Sequence, residues 1–194
     1  MRKPIAIAVA VFLACTIASA NPAYAEAPAA NSLDAFVATL PAAGAQQVTG
    51  VYVPSVFALK VIQQPASMPT YISILRNTVT QYGLASQYGS IGLLAHNYLS
   101  GALYSELTIG QQVDIVNGGG TVRQYRVSEI HHYKALSPYD PYSQFIDLDG
   151  GGGQLSSTDV FMRMYSGDRV VFQTCMDIGG SPVGGRLFVI ATPI

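Results

Sequence analysis

Charge is scarce in this chain: Lys, Arg, Asp and Glu together make up 11% of its 194 residues, and no stretch concentrates Lys and Arg. Without Arg2 and Lys3, eight basic side chains stand against eleven acidic ones, a formal charge of minus three. Phosphate binding needs a concentrated basic surface, so this composition argues against nucleic acid as a partner. Long apolar runs are also lacking. The run from Ile5 to Ile17 falls short of the roughly 20 residues that span a bilayer, and nothing later in the chain is apolar and long enough to do so. Cysteine occurs twice, as Cys15 and Cys175, too few for a disulfide framework.

What is present at the N-terminus is the layout of a secretory signal peptide over residues 1–25. Met1-Arg2-Lys3 precedes the apolar run, and Ala18-Ser19-Ala20 and Ala23-Tyr24-Ala25 offer small-residue cleavage sites. Cys15 follows Leu13-Ala14, a loose likeness to a lipoprotein site, but Phe12 is not the usual residue in front of it. The expectation is an exported, extracytoplasmic protein, secreted or envelope-associated. Cys175 is then the one cysteine left in the mature chain, expected to be buried, paired between molecules, or reactive.

Residues 26–47 are rich in Ala, Pro, Asn and Gln and read as a flexible linker or arm, with a turn or two of helix near Leu33–Ala38. From residue 48 the composition shifts, and residues 48–194 read as one domain, long enough for a real core. Val, Ile, Tyr, Phe and Thr are plentiful and Gly and Pro punctuate the apolar runs, which favours an all-β architecture. Val51–Val53 and Phe57–Ile62 read as strands. The stripe at residues 72, 75, 79 and 82 predicts a short helix ended by Gly83. Ser90–His96 reads as a buried strand. Gln112–Val116 and Thr121–Val127 flank Asn117-Gly118-Gly119-Gly120, a hairpin rather than a phosphate loop, since no helix start or P-loop Lys follows. Asp147-Leu148-Asp149-Gly150 begins like a calcium loop but lacks the closing Glu. The Pro- and Tyr-rich segment from Leu136 to Tyr142 must be loop, either a groove wall or a surface loop closed by aromatic packing. The last two strands are Arg169–Cys175 and Arg186–Thr192, joined by a flexible connection over Asp177–Gly185.

Cysteine nucleophilic chemistry needs a thiolate, a proton donor for the leaving group, and a cation or hydrogen-bond donor for the oxyanion. Cys175, His96 and Arg186 are the residues that supply these parts, each at the end or start of an expected strand. Each also has a plainer reading: a small buried hydrophobe, a hydrogen-bonded core histidine and an ion-paired strand arginine.

Gln173-Thr174-Cys175, followed by Gly185-Arg186-Leu187-Phe188-Val189-Ile190-Ala191, resembles the sortase pattern of Thr-Cys ending one strand and Arg opening the next. Ile91–Asn97 resembles the strand that delivers the sortase histidine, with Ala95 where many sortases have Gly. Leu107–Val113 resembles the hairpin entry that follows. The resemblance covers approximately Val48 to Ile194. It implies a sortase-like closed eight-stranded β-barrel with short helices, and transpeptidation without metal or organic cofactor. It also implies catalytic roles for His96, Cys175 and Arg186, and a substrate-binding role for Thr174, Ala95 and Asn97. The implied partners are a peptide or protein bearing a sorting signal and an amine acceptor; most of the family are held at the membrane by a longer anchor, whereas the N-terminus here is expected to give at most weak membrane association. A cysteine hydrolase on the same fold and a non-enzymatic exported peptide-binding barrel are the alternatives.

Overall fold

The computed structural model describes residues 32–194; the expected signal peptide, the lipoprotein-like site and the first part of the arm lie outside them. Ten strands form one sheet: β1 (Val48–Val53), β2 (Phe57–Gln63), β3 (Thr78–Tyr82), β4 (Ile91–Leu94), β5 (Gln112–Asn117), β6 (Val122–Ala135), β7 (Phe145–Asp147), β8 (Gln154–Leu155), β9 (Val170–Ile178) and β10 (Ser181–Pro193). Their order is β10-β9-β4-β3-β2-β1-β5-β6-β7-β8, and β10 also pairs with β6. That last pairing closes eight strands into a barrel and leaves β7 and β8 as an extension from β6. The fold is the all-β closed eight-stranded barrel with short helices that the sequence predicts. Closure gives every barrel strand two neighbours and so removes open sheet edges.

Alternation along the strands separates two cores. Val51, Leu59, Leu93, Ile115, Phe172 and Val189 point into the barrel. Val171, Phe188 and Ile190 point outward, yet they are buried as well, because Phe145 and the helix α3 (Ser157–Tyr165) cover that face with Val160, Phe161 and Tyr165. Coverage on both faces explains why β9 reads as the continuous apolar run Val170-Val171-Phe172. Helix α3 starts with a capping box: Ser156 Oγ accepts from the Asp159 N–H at 3.1 Å, and Asp159 Oδ2 accepts from the Ser156 N–H at 3.1 Å.

Three local expectations are corrected. The stripe over residues 72–82 is not a helix: its end is strand β3, and Leu75, one of the four stripe positions, is exposed. Side chains take over the backbone's partners there, with Thr80 Oγ1 accepting from the Ser73 N–H at 2.8 Å and Thr78 Oγ1 donating to the Leu75 carbonyl at 2.8 Å. The helix comes later, as α2 (Gly83–Gln87). The connection between the last two strands is no flexible loop either. Both strands run past the sequence-predicted ends to a two-residue turn at Gly179 and Gly180, with φ of 64° and 81°. Positive φ at both central positions suits a tight hairpin, and glycine adopts it without steric cost. Within the arm, α1 (Leu33–Val37) is docked rather than loose, with Phe36 buried and stacked 6.1 Å from the Tyr52 ring.

Candidate functional site

Strands β4, β9 and β10 lie side by side, and their register decides what meets. In the antiparallel β9–β10 ladder Arg186 faces Cys175 directly. Residues directly opposite in such a ladder share a sheet face, with Cα atoms roughly 4.5–5.5 Å apart. In the parallel β4–β9 ladder Leu94 pairs with Gln173. The paired register ends at Leu94, and His96 lies two residues past it in the chain. Of the three sequence-predicted residues, the pairings therefore set Cys175 opposite Arg186, while His96 lies beyond the paired part of β4.

Several bonds hold His96 just past the end of β4. The Ala95 N–H donates to the Gln173 carbonyl at 3.2 Å, continuing the ladder, and Thr174 Oγ1 donates to the Ala95 carbonyl at 2.9 Å. The His96 carbonyl then accepts from the N–H groups of Leu99 and Gly101 at 2.9 and 3.0 Å, which turns the chain into the 3₁₀ segment Ser100–Glu106. A Cβ on Gly101 would lie 2.3 Å from Thr174 Oγ1 and 2.7 Å from the His96 carbonyl oxygen, so glycine is what lets this turn pack against the site. The His96 ring stacks on Tyr98 with centroids 5.0 Å apart. Burial pushes its pKa below the ordinary 6.5, with a hydrogen bond to the Ile72 backbone partly offsetting the effect.

Arg186 is buried, at 2% exposure, and among the described residues it forms no ion pair. Backbone carbonyls hold it instead: Nη1 donates to Val183 and Gly185 at 2.9 and 2.8 Å, and Nη2 donates to Pro138 of the β6–β7 loop at 3.2 Å. The guanidinium lies 6.0 Å from the Phe145 ring centroid. Burial lowers its pKa to about 10, which leaves it cationic at neutral pH. A guanidinium has five N–H donors. Three are used here, and the buried Nε is among those that are not. An intact positive charge with unspent donors thus faces the strand position of Cys175.

Cys175 is 3% exposed and disulfide-bonded in this structure. Of the states expected for it, burial is seen, and nucleophilic chemistry at Cys175 belongs to the reduced protein. A cavity of about 380 Å³ reaches Cys175, with Asn97, Gly101, Thr174, Met176 and Asp177 among its lining residues. Of the residues expected to bind substrate, Thr174 and Asn97 lie on this cavity, whereas Ala95 packs in the barrel core. The Ser100–Glu106 segment forms one wall, a role with no signal in the sequence beyond the expected turn at Gly101. His131 and His132 take no part: they bond to Glu129 and Asp149 at 2.8 and 3.1 Å. The calcium-like segment is a turn in which Asp147 Oδ1 accepts from the Asp149 and Gly150 N–H groups at 3.0 and 2.8 Å.

The fold is a closed β-barrel in which Cys175 and Arg186 are paired on β9–β10 and His96 follows the end of the neighbouring β4. Among solved structures, similar folds are sortases. Sortase A of Listeria monocytogenes is 14% identical over 77% of this chain and 88% of its own, with a TM-score of 0.45. Sortase C1 of Streptococcus agalactiae, in a complex with MTSET, is 17% identical over 79% of this chain and 71% of its own, with a TM-score of 0.48. Sortase C-1 of Actinomyces oris is 16% identical over 75% of this chain and 70% of its own, with a TM-score of 0.49. No family model and no curated protein matches the chain. At such identities and TM-scores the likeness carries no functional argument, which falls instead to the site's own geometry.

Proposed function

We propose that the protein, in its reduced form, is a sortase-type cysteine transpeptidase that cleaves a peptide sorting signal and transfers the acyl part to an amine. The observation that carries this reading is the register: Arg186 pairs directly with Cys175 on β9–β10, and His96 follows the end of β4, the other neighbour of β9. His96, held below its ordinary pKa, is neutral at pH 7 and takes the proton of the Cys175 thiol. The sulfur attacks the peptide carbonyl carbon, and the oxyanion that forms meets the unspent N–H donors of Arg186. The C–N bond breaks as His96 returns its proton to the departing amine, leaving a thioester on Cys175. An incoming amine attacks the thioester carbonyl, gives up a proton to His96, and the C–S bond breaks to release the new amide. Thr174 supports the site through the Ala95 carbonyl beside it. Residues 1–25 would act as the export signal, and the domain would span residues 48–194.

The test is a labelled peptide library incubated with reduced protein, with and without oligoglycine. Acyl transfer to oligoglycine is the expected result, lost in both Cys175→Ala and Arg186→Ala with the fold retained. Wild-type rates in both variants would overturn the assignment. Release of the free acid at equal rates with and without the amine would instead favour the hydrolase.

A further inference from the structure

We propose that Asn97 is a positioning residue: it clasps the turn after His96 to the start of β10, across the strand that carries Cys175. This rests on the transpeptidase reading, and it assigns Asn97 a different task from the substrate contact that the family resemblance implies. In the strand order β10-β9-β4, strands β4 and β10 both border β9 and are separated by it. Asn97 Nδ2 donates to the Pro182 carbonyl at 2.7 Å, joining residues 85 positions apart. Among the described residues it is the one side-chain hydrogen bond between the turn at 96–101 and the 181–186 stretch. The bond is at the short end of the N–H···O range.

Both ends of this bond need fastening. On the β4 side the regular ladder stops at Leu94, and His96 lies beyond it. On the other side the β9–β10 register slips between Ser181 and Gly185, and the β6–β10 pairing starts only at Gly185. Residues 182–184 therefore have no partner in either ladder. That stretch nevertheless supplies the Val183 carbonyl that holds Arg186 Nη1 at 2.9 Å, and Pro182 precedes it. A single amide donor thus ties the backbone that presents His96 to the backbone that anchors Arg186, across β9. Proline has no N–H and offers only its carbonyl, so the donor must come from residue 97. An ionised Asp cannot supply it, and Gln can.

The experiment compares Asn97→Ala, Asn97→Asp and Asn97→Gln with wild type in the reduced, full chain. Misplacing catalytic groups by about 1 Å costs on the order of 10²-fold, so loss of one tie is expected to lower kcat about tenfold in the Ala and Asp variants. The peptide KM stays within about twofold, and Gln recovers most of kcat. A raised KM with unchanged kcat would overturn the proposal in favour of substrate contact, and unchanged kinetics in all three variants would overturn it outright. If wild type itself turns over no peptide, the transpeptidase reading fails separately. The clasp is then read from the rate of Cys175 alkylation in reduced protein: a change in Ala and Asp but not in Gln supports it, and equal rates in all four proteins overturn it.

Discussion

Replacing Arg186 by Met separates what the guanidinium does for the fold from what it does for chemistry. Stability receives two opposing contributions. Arg186→Met leaves the carbonyls of Val183, Gly185 and Pro138 without their donors, at roughly 1–3 kcal/mol for each one that water cannot reach. It also removes a buried cation that has no carboxylate partner among the described residues, whose desolvation costs several kcal/mol. The straight Met side chain keeps most of the contact with Phe145. The two effects nearly cancel, and the variant should unfold within about 2 kcal/mol of wild type. Catalysis has no such compensation: loss of an oxyanion donor costs roughly 2.7–4 kcal/mol, or 10²–10³ in kcat. Urea unfolding at pH 7 measures the first quantity and peptide turnover the second. Turnover within threefold of wild type, or destabilisation of more than about 5 kcal/mol, would refute the view of Arg186 as a charge held for chemistry.

Three further outcomes follow from particular contacts. Because burial holds the His96 pKa below 6.5, the unfolded chain binds that proton more readily. Stability is therefore fully present above pH 6.5 and declines as the pH falls below it toward the folded-state pKa. Urea titrations between pH 5 and 8 should show this slope, and His96→Gln should reduce it. Gly101→Ala forces a Cβ into the Thr174 hydroxyl and the His96 and Ala95 carbonyls; overpacking of this kind costs about 1–3 kcal/mol, and thermal unfolding together with turnover should show both stability and activity falling. Ser156→Ala breaks the capping box of α3 and should cost about 1 kcal/mol in chemical denaturation while leaving kcat unchanged, since no residue of α3 lines the cavity that reaches Cys175.

The candidate residues of the site were easier to single out in the sequence than the bounds of the elements around them, for a physical reason. His96, Cys175 and Arg186 stand where an apolar run of the sequence meets a polar group, and such junctions survive in a linear reading, although Cys175 and Arg186 lie inside β9 and β10 rather than at their ends. Register is what turns separate strands into a site, and between β4 and β9 it depends on pairings such as Leu94 with Gln173, residues 79 positions apart, which no local pattern encodes. Helix α3 carried its own signal in Ser156, Asp159 and the apolar residues Val160, Phe161, Met164 and Tyr165, but the neighbouring glycines and short polar residues masked it. The false helix over 72–82 came from treating Val79 and Tyr82 as a helical stripe with Ile72 and Leu75, when Ser73, Thr78 and Thr80 were binding the backbone into a loop. The β9–β10 hairpin went unseen because its glycines and proline resemble a flexible loop. In fact Gly179 and Gly180 form the tight turn, while Pro182 lies where the ladders leave a gap.

The central claim is that Cys175 becomes acylated during turnover, and mass mapping tests it most directly. Reduced protein is quenched in acid during turnover of a cleaved peptide and digested with trypsin, which cuts after Arg169 and Arg186 and isolates Cys175 on the fragment Val170–Arg186. That fragment should carry the mass of the acyl part of the peptide, and hydroxylamine should remove it, as expected of a thioester. Peptide cleavage that proceeds with this fragment unmodified, or with the acyl group on another residue, would contradict the account.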